Sequence, residues 1–166
     1  MLKKIVTLAM AAVLAVSMVA CGNTASKPTA TPEPVDLSAF GEKYVTAEQM
    51  PSLLDTNEDI GKQIQEESYP GLTDIETEQC LLYVSMMGIK NSELALVQVK
   101  NGEDVSKVQE LFQAHMDDMI NGGAFYPSDV ENWTNYSEVV TNGNYVMLVV
   151  STEKDAIVEE FNALFA

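Results

Sequence analysis

Residues 136–151 read YSEVVTNGNYVMLVVS. Asn142-Gly143, set between two β-branched runs, is the strongest short hairpin signal in the chain, because the tight turn needs positive φ and these residues adopt it at least cost. In the second arm Val146, Leu148 and Val150 alternate with Tyr145, Met147 and Val149, so both faces of the strand are apolar. Such a strand is expected to be buried on both faces and to sit centrally in its sheet.

Working outward, 80–87 (CLLYVSMM) and 93–100 (ELALVQVK) read as a second hairpin joined across Gly88-Ile89-Lys90-Asn91. Asn101 or a neighbour is expected to cap a helix, with Glu103 and Asp104 at the favourable end of its dipole. The apolar face of that helix is Val105, Val108, Leu111, Phe112, Met116 and Met119, and Asn121-Gly122-Gly123 ends it. Residues 124–135 are read as a loop with exposed aromatics. Thr152 and Asp155 open a closing helix whose stripe is Ile157, Val158, Phe161, Leu164 and Phe165. Upstream, Ala47, Met50, Leu53 and Leu54 suggest a short helix with Pro51 in its first turn, and Asn57 caps a second that carries Ile60 and Ile64 to Tyr69-Pro70-Gly71. The fold class is therefore α+β: an antiparallel sheet of about four strands with helices packed on it, a ββαββα core preceded by short helices.

At the other end of the chain, Lys3 and Lys4 precede an uncharged apolar run over 5–19, followed by Ala20-Cys21. That run falls short of the roughly 20 residues needed to span a bilayer, and its layout is that of an export signal ending in a lipobox. The expected chemistry is diacylglyceryl transfer to the Cys21 thiol and cleavage between Ala20 and Cys21, which would leave the protein lipid-anchored on the extracytoplasmic face of the membrane. Plain secretion with cleavage after Ala15-Val16-Ser17 is the alternative. The expected organisation is a signal peptide over 1–20, a lipidated cysteine and Pro/Thr/Ser stalk over 21–38, and one α+β domain over 39–166. An extended stalk of that composition reaches about 50 Å.

The formal net charge is −16, and no arginine is present. Removing 1–20 takes away two lysines and no acids, leaving 7 Lys against 25 Asp and Glu, or −18. Such a chain is repelled by phosphate backbones and lacks the guanidinium fork that reads them, which excludes nucleic acid as a partner. Once Cys21 is acylated, Cys80 is the only other cysteine, so no intramolecular disulfide forms and Cys80 is expected to act as a small buried hydrophobe.

The chain resembles the DUF4358 family of small lipoproteins of Gram-positive bacteria. The resemblance rests on Tyr83-Val84-Ser85-Met86-Met87, Ser92-Glu93-Leu94-Ala95-Leu96, Asn101-Gly102-Glu103-Asp104-Val105 and 139–146 (VVTNGNYV), and extends from about Leu53 to the C-terminus. It implies an exported lipoprotein and brings no catalytic residues. Between Asp117 and Asn135 the chain departs from the family, which tends to keep a longer charged helix there.

His115 is the only histidine, so any general-base role at neutral pH would fall to it. With no nucleophile motif tied to it, a partly exposed structural role is the expectation. Asp55, Asn57, Asp59 and Glu66 stand at positions 1, 3, 5 and 12 of a calcium loop, but Ile60 replaces the turn glycine and Lys62 an apolar residue. A capped helix explains the segment instead, and no metal or cofactor is expected. Phe125, Tyr126 and Trp133 are weak candidates for a ligand or peptide surface. The functional expectation is a non-catalytic extracytoplasmic binding or accessory module, held to the membrane by its lipid, with an envelope protein as a candidate partner. The alternatives are a hydrolase using His115, a small-ligand or peptide binder, and a calcium binder. On this reading, Cys21→Ala moves the protein from the detergent phase to the aqueous phase in Triton X-114 partitioning of expressing cells, whereas the parent chain stays with the detergent.

Overall fold

The computed structural model describes residues 35–44, 52–85, 92–124 and 126–166. Ala20, Cys21, the 88–91 connection, Phe125, and all of the expected signal and most of the stalk lie outside the described residues. The elements are α1 (Leu37–Glu42), β1 (Ser52–Leu53), α2 (Asp59–Ser68), β2 (Thr77–Val84), β3 (Glu93–Val99), α3 (Val105–Asp118), α4 (Pro127–Tyr136), β4 (Ser137–Asn142), β5 (Tyr145–Val150) and α5 (Lys154–Ala163). The strands form one antiparallel sheet in the order β1-β2-β3-β5-β4. The α+β class therefore holds.

β3 is the middle strand, with β5 directly beside it. Val146, Met147, Leu148, Val149 and Val150 are all fully buried, which fits a strand apolar on both faces. Leu94 opposite Val149 and Leu96 opposite Met147 point to one side, where Leu37, Phe40, Ile157 and Phe161 of α1 and α5 cover them. Ala95 opposite Leu148 and Val97 opposite Val146 point to the other, under Val108, Phe112, Trp133 and Tyr69. Three layers result, with the sheet between two sets of helices. Asn142 pairs with Tyr145, so Gly143 and Asn144 form the two-residue loop, and Gly143 takes the positive φ of 55° that the turn demands.

Several expectations are corrected. A fifth strand replaces the helix expected around Leu53: Ser52 pairs with Val84, Leu53 pairs with Tyr83, and Leu54 N–H donates to Leu82 O at 2.8 Å. Exposed Leu53 beside buried Leu54 is a period of two. The expected loop over 124–135 holds α4, because Pro127 pre-sets the first helical φ and Asp129 lies in the first turn, while Val130 and Trp133 supply too few apolar positions to show a period. Asn57 does not cap α2. Its N–H and side-chain amide donate to Asp55 Oδ1 at 2.9 and 3.1 Å, and α2 begins at Asp59. α5 begins at Lys154 rather than at Thr152, and it is Ser151 Oγ that accepts from Glu153 N–H. The domain also reaches into the expected stalk. Asp36 caps α1, Val35 N–H donates to Tyr145 Oη at 3.2 Å, and Gln79 clasps the segment by donating to Val35 O and accepting from Leu37 N–H.

The Asn101 cap and the helix end at Gly122 appear where expected. Asn101 accepts from Glu103 N–H, and Gly122 takes φ 143° in a π-type turn over Met119–Gly123. Gly61, buried on α2, lies so close to the 55–56 backbone that an added Cβ would fall inside the Asp55 carbonyl. Gly61→Ala is expected to displace α2 and destabilise the domain by about 1–3 kcal/mol, the usual cost of overpacking, read as a lowered midpoint in urea.

Candidate functional site

β3 opens with Glu93, whose odd number puts it in phase with Ala95, Val97 and Val99 on the face covered by α2, α3 and α4. A carboxylate in that position is buried and needs a donor. Tyr69, fully buried just after α2, supplies one: its hydroxyl donates to Glu93 Oε1. His115 sits on α3 one turn past Phe112, and its Nε2 lies 3.3 Å from the same oxygen, close enough for an ion pair whenever the ring carries its second proton but off the line of a hydrogen bond. Its ring is clamped between Tyr69 at 4.8 Å and Trp133, which meets it edge-on at 5.2 Å. The His115 side chain is 9 % exposed, held between Tyr69 and Trp133 at the edge of the core.

Glu93, His115 and Trp133 form one wall of a cavity of about 330 Å³. Ile64, Val84, Met119 and Trp133 give it an apolar lining, while Ser68, Ser85, Ser92, Glu93 and His115 give it polarity. Trp133 Nε1 and His115 Nε2 are sealed from solvent without hydrogen-bond partners. Burial, reinforced by the Glu93 charge and hydrogen bond, pushes the Tyr69 hydroxyl well above its usual range, so it stays a donor at all physiological pH. The arrangement can hold a small molecule against a fixed carboxylate, and it places the only histidine next to that carboxylate.

Of the residues singled out in the sequence, His115 and Trp133 come together here, while the rest do not join them. Tyr126 is 49 % exposed at the head of α4, whereas Trp133 is fully buried, so these two do not make one aromatic surface. Asp55 is engaged by Asn57, Asp59 starts α2, and Glu66 accepts from Thr73 Oγ1 at 3.4 Å. Among the described residues no three His, Cys, Asp or Glu side chains are grouped as a metal site requires. Cys80 packs beside the core, and burial pushes its thiol up to about 11. Glu93 and Tyr69 were missed by sequence reasoning. The available signal was phase, since Glu93 shares its parity with the apolar positions of the β3 face that meets α2, α3 and α4.

Tyr69 and Cys80 hold their protons more tightly folded than unfolded, so their contribution to stability is complete below their ordinary values of 10.0 and 9.0 and is lost as pH rises through the folded ones. The urea midpoint is expected to hold up to about pH 9 and to fall above it. Tyr69→Phe should flatten part of that fall and lower the midpoint at neutral pH by about 1–3 kcal/mol, because it strips the donor from a buried carboxylate. Urea titrations of both proteins across this range check the sign.

Residues 52–151 match the family model described as "Domain of unknown function (DUF4358)". No curated protein and no solved structure matches the chain. The match spans the whole sheet with α2, α3 and α4, including every residue of the cavity wall. This chain is a member of the DUF4358 family.

Proposed function

We propose that the protein is a membrane-tethered extracytoplasmic module that binds a small molecule in the cavity between α2, α3, α4 and the end of the sheet. The observation that carries this reading is the buried Glu93 carboxylate, held by Tyr69 and flanked by His115 at the wall of a cavity lined by both apolar and hydroxyl side chains. A cavity of about 330 Å³ is at the small end of the range for ligand pockets, and a few convergent polar groups in an apolar lining are their usual make-up. The lipobox at Ala20-Cys21 and the proline-bearing segment behind it support the tether and the exported location.

A second reading, an extracytoplasmic hydrolase, draws on His115 standing beside a carboxylate in a cavity that three serines also line. It requires turnover that vanishes in His115→Gln. Binding without turnover, retained in that variant, separates the module from the enzyme.

Trp133 is the only tryptophan and lines the cavity, so its emission reports occupancy directly. Titrating the full chain with amines, sugars, amino acids and short-chain acids is expected to give a saturable change for one of these classes. Met119→Trp, which fills the cavity, should abolish binding of that class as followed by calorimetry. If no class gives saturation, the binding-module reading is lost.

A further inference from the structure

We infer that the chain carries a site of spontaneous covalent modification: Asn121 is the asparagine that deamidates first in the folded protein, and its conversion loosens the end of α3. Three asparagines are followed by glycine, in Asn101-Gly102, Asn121-Gly122 and Asn142-Gly143. In such a step the glycine nitrogen attacks the asparagine Cγ. A new N–C bond forms, and the C–Nδ2 bond breaks as Nδ2 leaves with the glycine's proton as ammonia. Water then opens the resulting succinimide at either carbonyl, giving aspartate or isoaspartate, so water is the one co-reactant. A glycine has no Cβ to shield its nitrogen, and all three steps react alike in an unfolded chain. Ring closure also requires rotation about the asparagine Cα–C bond until the glycine nitrogen comes round toward Cβ. The fold decides which of the three can make that turn.

Asn101 is extended, with ψ at 121°, which turns the Gly102 nitrogen away from Cβ, and its Oδ1 is tied to Glu103 N–H ahead of α3. Asn142 ends β4 and pairs with Tyr145, so rotation there breaks the pairing that closes the hairpin. Asn121 is placed differently. It is exposed in the Met119–Gly123 turn, its backbone is helical, and a helical ψ holds the next nitrogen nearer to Cβ than an extended one does. Gly122, with φ at 143°, and Gly123 follow it and give the chain room to turn, and a helix end is where local opening costs least. One side-chain bond must release: Asn121 Nδ2–H donates to Asp117 O at 2.6 Å. That bond also sets the consequence. It satisfies a carbonyl in the last turn of α3, which a carboxylate cannot do, and the new negative charge stands beside Asp117 and Asp118 at the negative end of the helix. Isoaspartate lengthens the backbone of the same turn by a methylene. Met119 in that turn lines the cavity and Ile120 packs on the core, so the loosening reaches the cavity wall.

The test incubates the full chain in detergent micelles at neutral pH beside a sample unfolded in guanidinium chloride. Cleavage at glutamates places the three Asn-Gly steps in separate peptides, and mass spectrometry reads the exchange of amide for acid in each. The unfolded sample should convert all three at similar rates. In the folded sample Asn121 should convert first, and Asn142 should convert at least about tenfold more slowly than it does unfolded, the factor carried by the strand pairing it must break. Faster conversion at Asn101 or Asn142, equal rates at all three, or an unchanged Asn121 once the unfolded sample has converted overturns the assignment. Because this comparison is made on the parent chain, it stands whatever the variants do. Asn121→Asp, made directly, should lower the urea midpoint below the parent's. A midpoint equal to the parent's or above it overturns the loosening of α3.

Discussion

The structure depends on one constraint: β3 and β5 are apolar on both faces and lie side by side. Each fully buried Val, Leu, Ile, Phe or Met contributes about 1.5–3 kcal/mol relative to exposure, so neither face can be left open to water. Helices must therefore cover both sides, and the chain supplies them from both ends, with α1 and α5 on one face and α2, α3 and α4 on the other. α1 has only six residues and would not persist alone. It is held by burial of Leu37 and Phe40 and by the clasp of Gln79, which also bonds to Gln98 on the neighbouring strand.

Within that frame Glu93 is the exception. Every other residue of β3 facing α2, α3 and α4 is apolar, and a valine at this position would pack without help from Tyr69 or His115. Burying a carboxylate costs several kcal/mol unless hydrogen bonds and opposite charge offset it. Here the offset needs a fully buried tyrosine, an aromatic clamp on a histidine and a tryptophan behind it. A group so costly, placed where the strand ends and the cavity opens, makes more physical sense as a binding group than as a stabilising one.

How much of this was legible follows from period and phase. The Asn142-Gly143 hairpin, the doubly apolar β5, the Asn101 cap and the stop at Gly122 were readable because each is dictated within a few residues by turn chemistry or alternation. β1 and α4 were not. β1 is two residues long and exists through its pairing with Val84 and Tyr83, and α4 places just Val130 and Trp133 on its apolar side, so tertiary packing decides both. His115 was visible as the only histidine, but its neighbours were not. Its burial depends on Tyr69 and Trp133, which lie 46 residues before and 18 after it and meet it only in the fold.

The two faces of the sheet also differ in what they carry. Val35 enters the domain on the α1 and α5 side, packed with Leu37 and Phe40 and bonded to Tyr145, whereas the cavity opens among α2, α3 and α4 on the other. The covering helices differ in the same sense. α1 and α5 cover a layer with no buried charge among the described residues, its amides Gln79 and Gln98 bonded to each other, while the opposite layer carries the buried carboxylate, the histidine and the unpartnered indole nitrogen. One face of the sheet is thus covered by an uncharged layer, and the other gives up part of its apolar packing to keep a charged group at the wall of a cavity.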